Sequence, residues 1–237
     1  MLDKSEKKVK ELFNEIAGNY DEMNNVISLG TQKKWRSQSL KMVSLSNKTN
    51  ILDIATGTAD VAIELAENTN KKAKIIGLDF STSMLKIGQR KVDALGSQIS
   101  KKIELVQGNA LKLPFDNDSF DLVTISFGLR NMPNYKKVLL EIFRVLKKDG
   151  YIVILEMSKV DNPIIRPFWK LYMNMALPYF GKKSGHKEAY SYLNESAQKF
   201  LTKLELKRLL ENVGFNSESI LIKTYNLGAV ATHVARK

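Results

Sequence analysis

The chain has 237 residues, of which 43% are hydrophobic and 26% are charged. That length suits one domain with a single substantial core and is short for two independent domains. The absence of cysteine excludes disulfides, thiolate metal ligands and cysteine nucleophiles. The two histidines, His186 and His233, have no acidic cluster beside them in the sequence, so we expect no metal site.

The formal net charge of +12 is spread unevenly along the chain. Residues 1–50 contribute +3, residues 51–158 contribute +2 and residues 159–237 contribute +7. Such an excess is typical of proteins that bind anionic lipid headgroups or nucleic acid, and also of a lysine-rich solvated surface. Because no arginine-rich or aromatic-interleaved run is present, we favour the solvated surface and expect no nucleic-acid partner.

Hydropathy gives no sign of a membrane-spanning or secreted chain. No stretch approaches the ~20 apolar residues that span a bilayer, and the N-terminus lacks the apolar core of a signal peptide. We therefore expect a cytoplasmic protein, with any membrane contact peripheral and at the inner face.

The chain begins with an amphipathic helical pattern. Apolar residues recur at the spacing of one helical face, at Val9, Leu12, Phe13 and Ile16. The polar and aromatic stretch 20–36 that follows predicts no regular element. We interpret residues 1–49 as an N-terminal helical cap on the rest of the domain.

From residue 50 onward, strand and helix patterns alternate. Strand patterns cover 51–54, 74–78, 103–107, 121–127 and 151–156. Helical patterns cover 61–68, 83–93 and 135–147, with Ser81 and Asn134 as N-caps. Strict alternation predicts a mostly parallel sheet with helices on both faces.

A helical insertion, 159–200, breaks this alternation with many large apolar side chains. Pro167 suits the first turn of a helix, and Pro178 should end it. Because this helix would be apolar around much of its circumference, we expect it to bury more than one face. It either packs against the sheet or forms one wall of an apolar substrate cavity and touches a membrane through 163–187.

The end of the chain predicts one more helix and a hairpin. Thr202 and Glu205 form a capping box, and Gly214 stops the helix. Strand patterns at 219–224 and 229–235 then add one antiparallel strand near the edge of the sheet. The sequence thus predicts a single α/β domain, 1–237, with seven strands.

The stretch 51–60 has the layout of a ligand-binding turn, with a strand, a Thr-Gly-Thr turn and a helix. Asp79 ends the next strand, where an acid can accept hydrogen bonds from ribose hydroxyls. Gly57 allows a ligand to approach the backbone, but the glycine-rich phosphate motifs are missing. Asp53 and Asp60 would repel a pyrophosphate and suit a cation. These features favour S-adenosylmethionine over a dinucleotide.

Four stretches of the chain form specific motifs. They are Tyr20-Asp21-x-Met23-Asn24-x-x-Ile27-Ser28 with Trp35, Ser126-Phe127-Gly128-Leu129-Arg130-Asn131, Arg144-Val145-Leu146-Lys147 through Gly150 with Glu156-x-Ser158, and the tail from Gly228 to His233. With these motifs the chain resembles the ubiquinone/menaquinone biosynthesis C-methyltransferases, which are class I S-adenosylmethionine-dependent enzymes. The likeness covers nearly the whole chain.

Three positions depart from the family pattern. Gln32 stands where a histidine is expected, which weakens any role for an imidazole there. Lys148-Asp149 replaces a Pro-Gly-like pair and should affect only a surface turn. Ala59 replaces the second glycine of the Gly-Thr-Gly turn, which is tolerable if Ala59 has helical backbone angles.

The resemblance implies a Rossmann-like class I methyltransferase that methylates a ring carbon of a polyprenylated quinol. Demethylmenaquinol is the expected substrate, and a benzoquinol of the ubiquinone pathway is the alternative. We hypothesise that Arg130 stabilises the quinolate oxygen while Asn131 and Tyr20 orient the ring; a surface or structural ion pair is the alternative for Arg130. We expect the cofactor, without any metal, to be bound by Asp53, Gly57, Thr58, Asp79, Asn109, Ala110 and Ser126.

Three rival functions stay open on the sequence. A class I methyltransferase could act on another small molecule, such as a sterol, a fatty acid or an amine. A basic RNA-binding or RNA-modifying protein would use the net charge of +12. A dinucleotide oxidoreductase is disfavoured because the further glycines are missing. The sequence also leaves a homodimer open.

Overall fold

The computed structural model describes residues 3–160, 162–184 and 187–237, without the side chains of 176, 177 and 179–184. His186 lies outside the described residues. The helices are α1 (Glu6–Ile16), α2 (Tyr20–Ile27), α3 (Gln32–Leu40), α4 (Asp60–Asn68), α5 (Thr82–Asp93), α6 (Ser97–Ser100), α7 (Tyr135–Val145), α8 (Ile165–Ser184), α9 (Lys187–Lys199) and α10 (Lys203–Val213). The strands are β1 (Asn50–Ile54), β2 (Lys74–Asp79), β3 (Ile103–Gln107), β4 (Phe120–Ser126), β5 (Leu146–Met157), β6 (Leu221–Tyr225) and β7 (Val230–Arg236).

The seven strands form one sheet in the order β3-β2-β1-β4-β5-β7-β6. The pairings from β3 across to β5 are parallel, and β7 runs antiparallel to both β5 and β6. The predicted fold, including one antiparallel strand near the edge, is confirmed. Because the strand order reverses between β1 and β4, the crevice at their carboxyl ends is where such a sheet binds a ligand.

Both faces of the sheet are buried, as the apolar strand patterns require. Along β1, Leu52 and Ile54 belong to one hydrophobic cluster and Ile51 to another. Ile142 of α7 packs in the first cluster and Leu65 of α4 in the second. Side chains that alternate along a strand therefore anchor helices on opposite sides of the sheet.

Most predicted helix ends are where the sequence places them. Ser81 and Asn134 accept hydrogen bonds from the backbone N–H groups of Met84 and Lys137. Thr202 and Glu205 make both hydrogen bonds of the capping box at the start of α10. At the other end of α10, the αL residue Gly214 has φ 116°, a conformation that favours glycine.

The stretch 20–36 is mostly helical, as an N-terminal helical cap over 1–49 requires, although its own sequence pattern predicted no regular element. It contains α2 and the first half of α3, which follow α1 closely. Met23 and Trp35 are buried, and the Tyr172 hydroxyl of α8 donates to the carbonyl of Ile27 at 3.2 Å. These helices pack over the carboxyl ends of the central strands and so complete the site.

Two expectations about α8 are wrong. The helix continues past Pro178 to Ser184, because a proline biases against a helix without always ending it. Among its described side chains, Trp169 and Met173 are buried on one face, rather than on several. The exposed large apolar side chains at and beside this helix are Ile164 (75% exposed), Phe168 (71%), Leu171 (57%), Tyr172 (38%) and Met175 (64%). Among the described helices, none combines the length and hydrophobicity needed to cross a bilayer.

Candidate active site

A cleft opens at the carboxyl ends of β1, β2 and β4, with a volume of about 750 Å³ that includes solvent at its mouth. Apolar side chains dominate its lining, and α1 covers it with Val9 and Phe13. A more polar pocket of about 410 Å³ adjoins the cleft. The residues shared by both are Tyr20, Ala55, Gly57, Ser126 and Phe127. The site therefore has an apolar compartment and a polar compartment that meet at the turn after β1.

Asp53 supplies a buried carboxylate beneath this turn. It accepts hydrogen bonds from the hydroxyls of Thr56 at 2.6 Å and Thr124 at 2.7 Å, and it lines the polar pocket. Burial raises the pKa of Asp53 to about 6, although the two hydroxyl donors lower it. A cation that entered this pocket would favour the ionised carboxylate.

The turn itself holds Asp79 in place. Gly57, at φ 57°, donates its N–H to Asp79 Oδ2 at 2.9 Å, and the N–H of Ser81 donates to Oδ1 at 2.9 Å. Burial raises the pKa of Asp79, whereas these backbone donors lower it. Because an ionised carboxylate has about four acceptor positions, Asp79 can still accept hydrogen bonds from a ligand in the cleft.

Ala59 does not have the helical backbone angles that would make it a neutral replacement for glycine. It lies at φ 66° and ψ 14°, immediately before α4, in the left-handed region. The condition for a tolerable replacement is therefore not met, because the turn enters α4 through a left-handed residue. The conformation costs an alanine about 1–2 kcal/mol, so the departure from Gly-Thr-Gly is a strained one.

A network of charges closes the back of the polar pocket. Asp60 accepts hydrogen bonds from Arg36 Nη1 and Lys91 Nζ, each at 2.7 Å. Thr58 donates its hydroxyl to Asp21 at 2.7 Å and accepts a hydrogen bond from Lys91 at 3.0 Å. The predicted cofactor residue Thr58 thus lies at this pocket, and its side chain also ties α2 to the sheet.

Tyr20 lies where the two compartments meet. Its ring is 3.8 Å from the position that a Cβ on Gly57 would take, and it contacts Phe13 edge-on at a centroid distance of 6.1 Å. Burial raises the pKa of the Tyr20 hydroxyl, which therefore stays neutral at physiological pH. Tyr20 is placed to contact a ligand in either compartment.

The remaining predicted cofactor residues line the cleft. Ala110 and Ser126 are both part of its wall. Asn109 Nδ2 donates to Glu6 Oε1 at 2.8 Å, and Asn109 Oδ1 accepts the N–H of Leu111 at 2.9 Å. In this structure the Asn109 side chain therefore fastens α1 over the cleft.

Arg130 is buried behind the cleft and pairs with Glu156. Its Nη1 donates to Glu156 Oε1 at 2.6 Å and to the carbonyl of Phe127 at 2.7 Å, and its own backbone N–H donates to Glu156 Oε2 at 3.1 Å. Arg130 Nε has no hydrogen-bond partner among the described residues. The neighbouring Asn131 does line the cleft, and its Oδ1 is likewise unpaired there.

The site thus brings together nine of the ten predicted site residues as lining of the two compartments, with Arg130 immediately behind them. A model of the ubiE/COQ5 methyltransferase family matches residues 1–237. The chain belongs to this family. Membership confirms the predicted enzyme class, a methyltransferase that uses S-adenosylmethionine.

Individual relatives and solved structures agree with this assignment. The chain is 42% identical over 230 residues to a demethylmenaquinone methyltransferase of Lactiplantibacillus plantarum, covering 97% of this chain and 95% of the relative. It is 41% identical over 239 residues to one of Bacillus subtilis, covering all of both chains. Its fold is similar to that of a SAM-dependent methyltransferase from Thermotoga maritima, with a TM-score of 0.66, 20% identity and coverage of 96% and 99%.

Sequence reasoning did not single out two cationic residues that line the compartments. Lys4 lines the cleft from the segment before α1, where nothing distinguishes it from the other lysines of a lysine-rich start. Arg36 lines the polar pocket from α3. Its position next to Trp35, inside the first family motif, is the signal that could have revealed it.

Proposed function

We propose that this methyltransferase transfers a methyl group from S-adenosylmethionine to a ring carbon of demethylmenaquinol, a prenylated naphthoquinol. The observation that carries the proposal is the similarity over the whole chain, at 41% and 42% identity, to relatives named demethylmenaquinone methyltransferase. The apolar cleft supports it, since a naphthoquinol ring is flat and apolar and has hydroxyl groups only at its edge. A benzoquinol of the ubiquinone pathway is the alternative substrate.

The two compartments suit the two ends of the methyl donor. Asp79, Asn109 and Ala110 would hold the adenosine in one part of the cleft, with Asp79 accepting hydrogen bonds from the ribose hydroxyls, and the part lined by Asn131 and Met132 would hold the quinol ring. Asp53 would face the positive charge of the amino acid end in the polar pocket. Gly57 leaves room for the ligand against the turn, and the predicted contacts of Thr58 and Ser126 would complete the two compartments.

The protein's main task is to position the quinol ring. When bound, S-adenosylmethionine supplies a sulfonium methyl group that is already strongly electrophilic. Orienting a nucleophile can contribute up to ~7–11 kcal/mol in well-aligned systems. Tyr20, at the junction of the compartments, would contact the ring face, and Asn131 Oδ1, which is unpaired, would accept a hydrogen bond from a quinol hydroxyl.

Arg130 would act on the quinolate from behind Asn131. Glu156 fixes the guanidinium through the 2.6 Å contact and offsets much of its positive charge. Nε is buried and unpaired among the described residues, so the guanidinium keeps a donor that would stabilise a quinolate oxygen if the side chain moved towards the cleft. Loss of Arg130 should therefore reduce turnover far more than affinity for S-adenosylmethionine.

The direct test is incubation with S-adenosylmethionine and chemically reduced demethylmenaquinol, followed by mass spectrometry. We expect a product that is heavier by one CH₂ group. A parallel incubation with a reduced demethylated benzoquinol decides between the two quinol classes. Absence of product with both would refute the proposal, and salt-sensitive RNA binding in its place would favour the RNA-binding alternative.

We further propose that α8 touches an anionic membrane surface, from which a prenylated substrate would come. The exposed apolar side chains Phe168, Leu171 and Met175 would enter the headgroup region. The exposed cations Arg166 and Lys170 lie on the same helix, as expected for contact with anionic lipids. The side chains of the predicted contacts Lys182 and Lys183 lie outside the described residues. A location at the inner face of the membrane and a homodimer stay predictions.

Flotation with phosphatidylglycerol and phosphatidylcholine vesicles tests the membrane contact. We expect the protein to float with the anionic vesicles and the Phe168→Ser/Met175→Ser variant to lose that binding. The matched control is Leu204→Ser, because Leu204 is 50% exposed on a different helix, α10. Equal flotation of all three proteins would contradict the assignment of α8.

A further inference from the structure

Lys4 is a charged side chain of the cleft to which the methyl transfer described above gives no role. It precedes α1 and lines the cleft together with Asn131, Met132 and Pro133. Among the described residues that line the cleft, Lys4 is the only lysine or arginine. It therefore brings a positive charge to the apolar compartment in which the quinol ring would lie.

The contacts of Lys4 fix its position against Tyr135, close to the backbone of Arg130. Its Nζ donates a hydrogen bond to the hydroxyl of Tyr135 and lies 4.8 Å from the centroid of that ring. The Tyr135 hydroxyl in turn lies 3.5 Å from the carbonyl oxygen of Arg130. Lys4 and Asn131 both line the cleft, and the contacts through Tyr135 tie Lys4 to the segment that carries Asn131.

The charge of Lys4 is not balanced in the way that the charge of Arg130 is. Arg130 has a carboxylate of Glu156 at 2.6 Å, whereas the hydrogen-bond partner of Lys4 is a phenol. Burial lowers the pKa of Lys4, and so do the charges of Arg130 and Lys199, while Glu156 raises it. Burial and Glu156 raise the pKa of Tyr135 to about 12, so its hydroxyl stays protonated. Burial and the two neighbouring cations therefore favour the neutral amine, and Glu156 opposes them.

We propose that Lys4 accepts the proton of the quinol hydroxyl and then, as an ammonium, stabilises the quinolate beside the methyl donor. This proposal rests on the function proposed above. The hydroxyl proton moves to the lone pair of Nζ, and the electrons of the quinolate ring form the new carbon–carbon bond. The carbon–sulfur bond breaks with its electron pair left on sulfur. The methylated ring carbon then loses its hydrogen as a proton to water, which restores the aromatic quinolate, and Lys4 returns its proton to the quinolate oxygen.

Methyl transfer by Lys4 variants gives the first test. Lys4→Met removes both the base and the charge and should reduce kcat about 100-fold or more, the usual range for a positioned base. Lys4→Arg retains the charge but cannot accept a proton, so kcat should fall as well. Lys7→Met is the matched control, because Lys7 is an exposed lysine of α1, and it should behave as wild type. Calorimetric affinity for S-adenosylmethionine should be the same in all four proteins.

Ionisation of a bound ring analogue gives a readout that does not depend on turnover. The absorbance of 1-naphthol changes when it ionises, so its pKa can be measured in the protein loaded with S-adenosylhomocysteine. We expect the pKa of bound 1-naphthol to lie about one unit lower in wild type and in Lys4→Arg than in Lys4→Met. Wild-type values of both kcat and the naphthol pKa in Lys4→Met would overturn the assignment. Failure of the wild-type enzyme to methylate any quinol would instead refute the proposed function.

Discussion

The buried carboxylate of Asp53 should destabilise the cofactor-free protein at neutral pH. Burial raises the pKa of Asp53 to about 6 in the folded state. A carboxyl group whose pKa is raised on folding binds its proton more tightly in the folded chain, so its ionisation at neutral pH opposes folding. A rise of about two units, at about 1.36 kcal/mol per unit, corresponds to a cost of about 3 kcal/mol.

Asp53→Asn removes this cost while keeping the shape of the side chain. We expect the variant to raise the free energy of unfolding by up to about 3 kcal/mol at neutral pH. The gain should shrink as the pH falls through about 6 and vanish below about 4, where the aspartate is protonated in both states. Urea denaturation of both proteins across this range measures the difference. The same variant should bind S-adenosylmethionine more weakly, since it lacks the carboxylate that faces the cation.

Asp121→Asn is a control for which we expect the opposite change in the free energy of unfolding. Burial raises the pKa of Asp121, but hydrogen bonds from Lys147 and from the backbone of Asn50 and Thr49 hold it well below the usual range. This carboxylate stabilises the fold at any pH above about 4, so its loss should cost stability by an amount that is constant between pH 4 and neutrality. An Asp53→Asn gain that was absent, or that did not change with pH, would refute the reasoning.

Three further substitutions test other parts of the site. Asp79→Ala should sharply weaken S-adenosylmethionine binding by calorimetry; unchanged affinity would exclude Asp79 as the ribose ligand. Glu156→Gln should lower the free energy of unfolding by about 3–5 kcal/mol, because it leaves Arg130 as an uncompensated buried charge. An unchanged free energy of unfolding in urea titrations would show that the pair is not tightly coupled. Ala59→Val should cost about 1–3 kcal/mol more than Ala59→Gly, since a β-branched side chain is poorly compatible with φ 66°; equal thermal stability of these two variants would contradict the left-handed conformation.

The sheet could be predicted from sequence because its strands are continuous apolar runs between turns. The helix α3 could not, since its buried face is largely polar. Gln32, Arg36 and Ser39 are buried there beside the apolar Trp35 and Leu40. The spacing of apolar residues cannot predict such a helix, because its buried face includes polar side chains that line a pocket or form hydrogen bonds.

The site could be predicted only in part. The residues after β1 and β2 could be placed together because parallel strands end at the same edge of the sheet. The pairing of Arg130 with Glu156 could not be predicted, because it depends on the register that sets Ser126 opposite Leu155. Neither hydropathy nor spacing encodes that register, and nothing in the sequence distinguishes Lys4 from its neighbours.

The helices α1 and α2 form a single layer between the cleft and α8. Phe13 and Tyr20 line the cleft, while Leu12 and Met23 pack in the cluster that contains Trp169 of α8. With α8 resting on a bilayer, the site would lie about one helix diameter, ~10 Å, above the lipid. A quinol ring could then reach the methyl donor while most of its prenyl chain stayed in the membrane, so the enzyme would not have to extract its substrate from the lipid phase.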